Sequence, residues 1–431
     1  MPTSFNGGLG MESSYYLATA NPSPATRPLH GIARADVVVV GAGCTGLAAA
    51  RYLACQGRSV ILIEGGEVGW GASGRNGGQM IPGLRLGAAQ LVKRYGAEHG
   101  RRLFKLSVSA RDEVLGLIND EGIKCDLKRT GHLSAAIKES DLDDMRREVE
   151  CLHTIMDYSD AAILEKADTR REVATDYVGG LLDRGGGHLH PLNYTLGLAE
   201  AAINRGVTIH CQSPAKRLDR TGSGVTVHVP GGRVIARHCI LAGDALLAGL
   251  DSSVTRHIMP IASYIAATRP LNNSSELISA DRAISDSRFV VNYFRLSADG
   301  RLLFGGGERY TRRPPTDIAE FVRPFMERTF PQLTGTPIDH AWGGLVSVTR
   351  TRLPHIGRDG PVLWAHGYSG MGTILSSLAG SVLAKAIDGD DVGLDLFQSI
   401  SPPAFPGGGL LRGPLHTLAM LWYATRDRLG V

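Results

Sequence analysis

Residues 36–64, DVVVVGAGCTGLAAARYLACQGRSVILIE, decide the fold of this chain. The apolar runs at 36–40 and 59–64 are typical of strands buried on both faces. Between them, residues 45–56 have the alanine and leucine spacing of a packed helix, and Gly57 is a natural stop at its carboxyl end. The stretch therefore predicts a strand–helix–strand unit with parallel strands and a right-handed crossover.

The turn between the first strand and the helix reads G-x-G-x-x-G, with glycines at Gly41, Gly43 and Gly46. These glycines permit a tight turn, a close approach of a pyrophosphate and close packing of helix on strand, and the helix amino terminus binds the phosphates. Glu64 follows Gly46 by 18 residues, where a carboxylate binds a ribose hydroxyl and disfavours a 2′-phosphate. The alternative is a glycine-rich turn in an unrelated α/β fold, but the combination predicts a bound dinucleotide.

Two further glycine-rich segments indicate which dinucleotide binds. Residues 65–79 read GGEVGWGASGRNGGQ, so the backbone itself can lie against a flat ligand and donate N–H groups. Residues 367–373, GYSGMGT, lead into a helix, and a helix amino terminus suits the N1–C2=O edge of a flavin, where negative charge develops on reduction. Each segment alone also fits a surface loop or a helix cap. Together they favour FAD over NAD.

The composition excludes several classes of protein. The 431 residues carry 46 basic and 42 acidic side chains, and no basic stripe with interleaved aromatics is present, so no nucleic-acid partner is predicted. The six cysteines form no C-x-x-C pair, which is typical of reduced thiols in a cytosolic protein. We find neither a signal peptide nor an apolar run of about 18 residues, and we predict a cytoplasmic protein without a membrane span. His188 and His190 have no cysteine or carboxylate at ligand spacing, so no metal is predicted.

Six stretches of the chain resemble the FAD-dependent D-amino-acid-oxidase-like (glycine/sarcosine oxidase) superfamily, and within it the γ-glutamylputrescine oxidase branch. They are SYYLATANPSPATRP at 14–28, ADVVVVGAGCTGLAAARYL at 35–53, EVGWGASGRNGGQ at 67–79, GGGHLHPLNYTLGLAEAA at 185–202, RLLFGGGERY at 301–310, and GLVSVTRTRLPHIGR at 344–358 with GYSGMG after it. The resemblance thus covers nearly the whole chain. GASGRNGGQ and the opening SYY…ANP…P are specific to that branch, whereas GAGCTG is not.

The resemblance implies a set of residues that hold FAD. Those for the ADP half are Gly41, Ala42, Gly43, Thr45, Gly46 and Glu64, with Ala215 at the adenine and Ala242 and Gly243 in a second glycine signature. Those for the pyrophosphate and the isoalloxazine are Ala72, Ser73, Arg75, Asn76, Gly77, Gly78, Gln79, Met80, Gly370, Met371, Gly372 and Thr373. In the second signature, Asp244 replaces a more usual small residue.

Three departures from the family pattern bear on the chemistry. The sarcosine oxidase branch tethers its flavin through a cysteine, but residues 344–346 contain none, so the FAD is expected to be non-covalent. A lysine that this branch uses with oxygen is absent where Leu302 and Leu303 stand, although Arg301 is adjacent. A lysine that grips a substrate carboxylate is replaced by Ile374, which favours a longer amine over a simple α-amino acid.

The predicted fold is α/β: a Rossmann-type FAD-binding domain built from discontinuous segments, plus an α+β substrate domain with a mostly antiparallel sheet. The first domain is expected to comprise residues 30–97, 181–249 and 341–400, and the second residues 98–180 and 250–340. An extended amino-terminal arm at 1–29 and a helical tail at 401–431 complete the chain.

The predicted reaction is oxidation of a C–N bond in a small amine, γ-glutamylputrescine-like or other. Hydride passes to flavin N5, the imine hydrolyses, and O2 or another acceptor removes the electrons. The candidates on the substrate side are Tyr293, Arg295, Trp342 and His366. Tyr293, Trp342 and His366 also fit a purely structural role, and Arg295 also fits a solvated strand residue. The alternatives are a cyclic imino-acid or amino-acid oxidase or dehydrogenase, a catalytically silent flavoprotein subunit, and an NAD-binding module. The oligomeric state stays open.

Overall fold

The computed structural model describes residues 13–222, 224–247, 249–309 and 314–406. The strands in chain order are β1 (Gly31–Val40), β2 (Val60–Ile63), β3 (Gln79–Met80), β4 (His132–Ala136), β5 (Ala161–Glu165), β6 (Gly179–Asp183), β7 (Gly187–His188), β8 (Thr208–His210), β9 (Arg217–Thr221), β10 (Gly224–Val229), β11 (Gly232–Leu241), β12 (Met259–Thr268), β13 (Ala283–Asp286), β14 (Tyr293–Leu296), β15 (Leu302–Arg309), β16 (Ile338–Val348), β17 (His355–Asp359) and β18 (Val362–His366). The α-helices are α1 (Tyr15–Ala18), α2 (Cys44–Cys55), α3 (Ala88–Tyr95), α4 (Ala97–Asp120), α5 (Glu139–Thr154), α6 (Lys166–Glu172), α7 (Pro191–Asn204), α8 (Ser252–Thr255), α9 (Ser274–Leu277), α10 (Ile318–Thr329), α11 (Gly372–Ile387) and α12 (Val392–Gln398).

The first sheet contains the predicted strand–helix–strand unit. Its strand order is β17-β18-β11-β1-β2-β8, and β10 and β9 extend it from β11. The pairs β1–β2, β1–β11, β2–β8 and β11–β18 are parallel. Valines 37–40 of β1 are buried, as expected for a strand covered on both faces. This sheet confirms the Rossmann-type part of the predicted fold.

The second sheet has the order β16-β12-β15-β14-β13-β4-β6-β5. Every pair in it is antiparallel except β13–β4, which is parallel. The prediction of a second, mostly antiparallel sheet is therefore confirmed. Helix α10 packs its apolar face on this sheet, where Val322 and Met326 are buried in the same cluster as Phe294 and Phe304.

The registers of the parallel strands place the ends of β1, β2 and β11 side by side. Val40 at the end of β1 pairs with both Ile63 of β2 and Leu241 of β11. The residues that follow these three strands therefore lie at the same edge of the sheet, outside its carboxyl ends. In open α/β sheets this edge is where ligands bind.

The segment before β1 ties the two sheets together. Ser13 Oγ donates a hydrogen bond to the Ala341 carbonyl of the second sheet (2.7 Å), and Leu29 N donates to Ser213 Oγ (2.8 Å), close to the first sheet. The prediction of a wholly extended arm is wrong at Tyr15–Ala18, which is helical. Ser14 caps this turn by accepting from Leu17 N (3.2 Å), and burial of two tyrosines stabilises it.

Other sequence predictions need correction at their boundaries. The sequence pattern predicts a short strand at 215–218, whereas the structure has β9 at Arg217–Thr221, because its ladder with β10 starts at Arg217 opposite His228. The sequence pattern also predicts two separate strands at 233–237 and 239–242, but the structure has one strand there, β11, which pairs with β1 along its length. The proposed domain limits at 181 and 341 fall inside β6 and β16, so the division into domains stays a prediction at those points. Residues 1–12 and 407–431, and with them most of the predicted tail helix, lie outside the described residues.

Candidate FAD cleft and active site

A cleft of about 810 Å³ opens at the carboxyl ends of β1, β2 and β11. The three glycine-rich segments meet in this cleft. The turn that follows β11 and part of strand β16 also line it. Most of the predicted cofactor residues line it: Gly41, Gly43, Thr45, Glu64, Ala72, Ser73, Arg75, Asn76, Ala215, Ala242, Gly243, Gly370, Gly372 and Thr373. The other predicted residues lie outside this lining: Ala42, Gly46, Gly77, Gly78, Gln79, Met80 and Met371.

The first glycine-rich turn is built for close approach. Gly41 has φ +114°, and a Cβ there would lie 2.8 Å from the carbonyl oxygen of Ala242. Helix α2 begins at Cys44 without a side-chain cap, and Cys44 N donates to Ser73 Oγ (3.0 Å). A Cβ on Gly43 would come within 2.8 Å of that hydroxyl. The amino terminus of α2, whose N-cap residue Gly43 supplies no side chain, thus faces the cleft beside the second glycine segment, which suits a diphosphate.

Glu64 lies immediately after β2, as the ribose role requires. Its Oε2 accepts from Ala42 N and its Oε1 from Gly66 N, both at 2.8 Å. Burial raises the pKa of this carboxyl group, while these N–H groups favour its ionised form. A carboxylate has several acceptor positions, so the bonds to the loop leave capacity for a ribose hydroxyl.

The second glycine segment is cross-linked to the third. Asn76 Nδ2 donates to the Ala72 carbonyl (3.0 Å), and Asn76 Oδ1 accepts from Gly78 N (2.7 Å) and from Thr373 Oγ1 (3.4 Å). Gln79, which was expected at the flavin, donates from Nε2 to the carbonyls of Ile284 (2.9 Å) and Phe294 (3.2 Å) in the second sheet. Gln79 therefore fastens the loop to that sheet.

Several residues that line the cleft were not predicted from the sequence. Tyr368 hydroxyl bonds Thr45 Oγ1 at 2.7 Å, which joins the third glycine segment to helix α2. Asp244 has φ +46°, and its Oδ1 accepts from Gly367 N (3.0 Å). Burial raises the pKa of the Asp244 carboxyl group. Trp70, Leu345, Val346 and Ser347 complete the wall nearest to β16. The only signal for these residues is their position beside the glycine motifs.

The four substrate-side candidates occupy two separate places, and none of them lines the cleft. Tyr293 is half-buried on β14, where its ring lies against Gly77 and Gly305 and its hydroxyl is 3.3 Å from Ser263 Oγ. Trp342 is fully buried and donates from Nε1 to the Arg75 carbonyl (3.0 Å). Arg295 is also buried, and its bonds hold the Gly77 carbonyl.

His366 lies apart from the other three, in β18 of the first sheet. Its Nε2 is 2.7 Å from His355 Nδ1, and Trp364 Nε1 donates to His355 Nε2 (3.2 Å). An indole N–H can only donate, so neutral His355 carries its proton on Nδ1 and donates to His366. Burial lowers the pKa of His366 to about 3 and that of His355 to about 2. Both rings are therefore neutral at neutral pH.

His366→Gln is expected to reduce the slope with which the free energy of unfolding falls as the pH is lowered. The folded pKa of His366 lies below the unfolded value of about 6.5. The unfolded chain therefore binds more protons as the pH falls below that value, and stability is lost progressively toward the folded pKa at a rate of about 1.4 kcal/mol per pH unit for each such histidine. Glutamine keeps an acceptor for His355 and removes one titration. Urea unfolding between about pH 6.5 and about 4.5 measures the slope, and a variant with the wild-type slope would contradict the assignment.

The resemblance to the family implies that a lysine is missing at Leu302 and Leu303, next to Arg301. Leu302 and Leu303 are buried, and Arg301 pairs with Asp299 and Asp339, both at 2.7 Å. Arg301 is not among the residues that line the cleft.

Within the described ranges, no helix combines the length and apolar composition that a membrane span requires.

Comparisons with known proteins found a family model, two relatives and a solved structure to which this chain is similar. The family model described as "DAO: FAD dependent oxidoreductase" matches residues 36–386. The "Probable oxidoreductase OrdL" of Haemophilus influenzae is 37% identical over 423 residues, covering 96% of this chain and 97% of that protein. The "Gamma-glutamylputrescine oxidoreductase" of Escherichia coli is 35% identical over 424 residues, covering 97% and 99%. The crystal structure of glycine oxidase from Geobacillus kaustophilus has a TM-score of 0.70 at 21% identity, covering 86% of this chain and 96% of its own.

Proposed function

The chain belongs to the family of FAD-dependent oxidoreductases, and from that premise we propose that it oxidises a carbon–nitrogen bond of a small amine of the γ-glutamylputrescine type, with O2 as the electron acceptor. The observation that carries the proposal is the single cleft in which three distant glycine-rich segments meet a strand of the second sheet, β16. The relative from Escherichia coli, similar over almost its whole length, supports the choice of substrate class.

The chemistry of the residues that line the cleft supports FAD as its cofactor. The amino terminus of helix α2 beside Gly41 and Gly43 suits the diphosphate, and Glu64 suits a ribose. The buried guanidinium group of Arg75 suits a ring that gains negative charge. When bound, the cofactor supplies a two-electron acceptor for a hydride.

The residues of the chain then have to orient the amine and keep it neutral. Leu345 and Val346 form an apolar wall, and an apolar site favours the neutral amine whose lone pair assists hydride loss. We propose Tyr293 as a substrate contact, because its half-buried ring lies beside Gly77 in the second glycine-rich segment. Arg295 and Trp342 would act as positioning residues, because their hydrogen bonds hold the carbonyls of Gly77 and Arg75.

Anaerobic titration tests the proposal. Purified protein is titrated with γ-glutamylputrescine, putrescine, a cyclic imino acid and an N-methyl amino acid while the flavin absorbance is followed. We expect the first amine to bleach the flavin at the lowest concentration and admitted O2 to restore the colour. Bleaching by the imino acid alone would favour the imino-acid alternative. Bleaching without recovery in O2 would make the protein a dehydrogenase, and no bleaching by any amine would refute the proposed chemistry.

A further inference from the structure

Arg75 is a buried cation without a counter-charge. Its side chain is 4% exposed, and it has no ion pair among the described residues. Nε donates to the Trp70 carbonyl (2.7 Å) and Nη1 to the Gly343 carbonyl (3.1 Å), while buried Nη2 has no hydrogen-bond partner in the part of the chain that the structure describes. A buried charge with an unused hydrogen-bond donor is energetically costly unless a ligand supplies the missing acceptor and counter-charge. The residue lines the cleft, so that ligand is expected there.

The guanidinium group is held firmly in the half of the cleft near β16. Its aliphatic stem packs over Gly344, where a Cβ would lie 3.2 Å from Arg75 Cβ, and its Cζ lies 4.8 Å from the centre of the Trp70 ring. The Arg75 carbonyl accepts from the fully buried Trp342 indole. Burial lowers the pKa of Arg75 to about 10, which leaves it protonated at neutral pH. The charge is therefore permanent and pre-positioned.

We propose that Arg75 supplies the positive charge that stabilises the anionic reduced form of the bound flavin, an assignment that rests on the proposed function. Transfer of a hydride from the substrate C–H bond to the neutral oxidised ring leaves an iminium product and one negative charge on the ring. The guanidinium group offsets that charge, and so raises the reduction potential of the cofactor. A carboxylate on the substrate is the competing partner. We favour the cofactor over the substrate as the partner of Arg75, because Arg75 lines the same cleft as Glu64 and Gly41.

The test uses sulfite, whose addition to flavin N5 places the same negative charge on the ring without any substrate. Sulfite affinity and the midpoint potential, measured with reference dyes, are compared for wild type, Arg75→Gln and Arg75→Lys with excess FAD. We expect Arg75→Gln to weaken sulfite binding at least tenfold, equivalent to about 30 mV in a two-electron potential. Arg75→Lys should restore most of this. Gly344→Ala, which crowds the Arg75 stem without removing the charge, should weaken sulfite binding in the same direction by a smaller factor.

The control is Arg111→Gln, which removes a charge paired with the partly exposed Asp112 and Asp160, both outside the cleft. It should leave sulfite affinity and potential unchanged. If Arg75→Gln binds sulfite as wild type does, the proposal is overturned. It is overturned too if only the KM for a carboxylate-bearing amine rises, because the cation then serves the substrate. A wild-type protein that takes up no FAD would refute the proposed function itself, before any variant is compared.

Discussion

Gly46→Ala is expected to weaken FAD binding by roughly 100-fold. A Cβ at this position would overlap the carbonyl oxygen of Gly41 and lie 3.1 Å from Val39 Cγ1. Neither β1 nor the turn can yield easily, so helix α2 has to move away from the sheet. Overpacking of this kind costs about 1–3 kcal/mol, and a backbone clash belongs at the upper end. At about 1.4 kcal/mol per tenfold change, the affinity falls by roughly two orders of magnitude. Quenching of FAD fluorescence by the apoprotein measures it.

Gly116→Ala is the matched control for that substitution. It also adds a single Cβ, on helix α4, and there the new atom meets no described residue within 4 Å apart from the backbone of its own helix. Alanine is the better helix former, so the free energy of unfolding should rise by up to about 1 kcal/mol while the FAD dissociation constant stays unchanged. Equal FAD affinity in Gly46→Ala and in the wild type would show that the pyrophosphate turn is not where we place it.

The parts of the fold that sequence predicts well are those that depend on neighbouring residues. The unit β1–α2–β2 follows from an apolar run, a glycine turn and a second apolar run, all within 29 residues, from 36 to 64. The glycine segments can be recognised in the same way, because each glycine relieves a local steric conflict. Boundaries are less certain where pairing sets them, and β9 lies two residues later than expected because β10 fixes its register.

Long-range contacts explain what the sequence does not reveal. Tyr368 lines the cleft because its hydroxyl reaches Thr45 in the first glycine segment, and Asp244 is there because the turn after β11 meets Gly367. His366 was expected near the substrate, yet its partner is another histidine across a β-hairpin. A single sequence does not show which distant residues contact each other. Polar residues that are buried by such contacts can therefore be mistaken for catalytic residues.

Arg295 shows the same effect most strongly. The sequence left it as either a substrate ligand or a solvated strand residue. In the structure it is 4% exposed, and all three of its nitrogen atoms donate to oxygen. Nε bonds the Gly77 carbonyl (2.7 Å), Nη1 the Leu296 carbonyl (2.9 Å), and Nη2 the Leu189 carbonyl (3.0 Å) and the Tyr16 hydroxyl (3.1 Å). One side chain thus joins the second glycine-rich segment, the second sheet, the segment before α7 and the amino-terminal arm.

Arg295→Gln is expected to lower the free energy of unfolding by about 3–5 kcal/mol, because hydrogen bonds from a charged donor contribute about 1.5–3 kcal/mol each and buried carbonyls left without a donor add a further cost. Arg295→Lys keeps the charge but lacks the planar fork, so it should recover only part of the loss. Urea unfolding of the FAD-saturated proteins measures both. The exposed Arg102→Gln, on α4, should change stability by less than about 0.5 kcal/mol. If Arg295→Gln instead unfolds like the wild type and only its KM for the amine rises, Arg295 is a substrate ligand and the structural role assigned to it here is wrong.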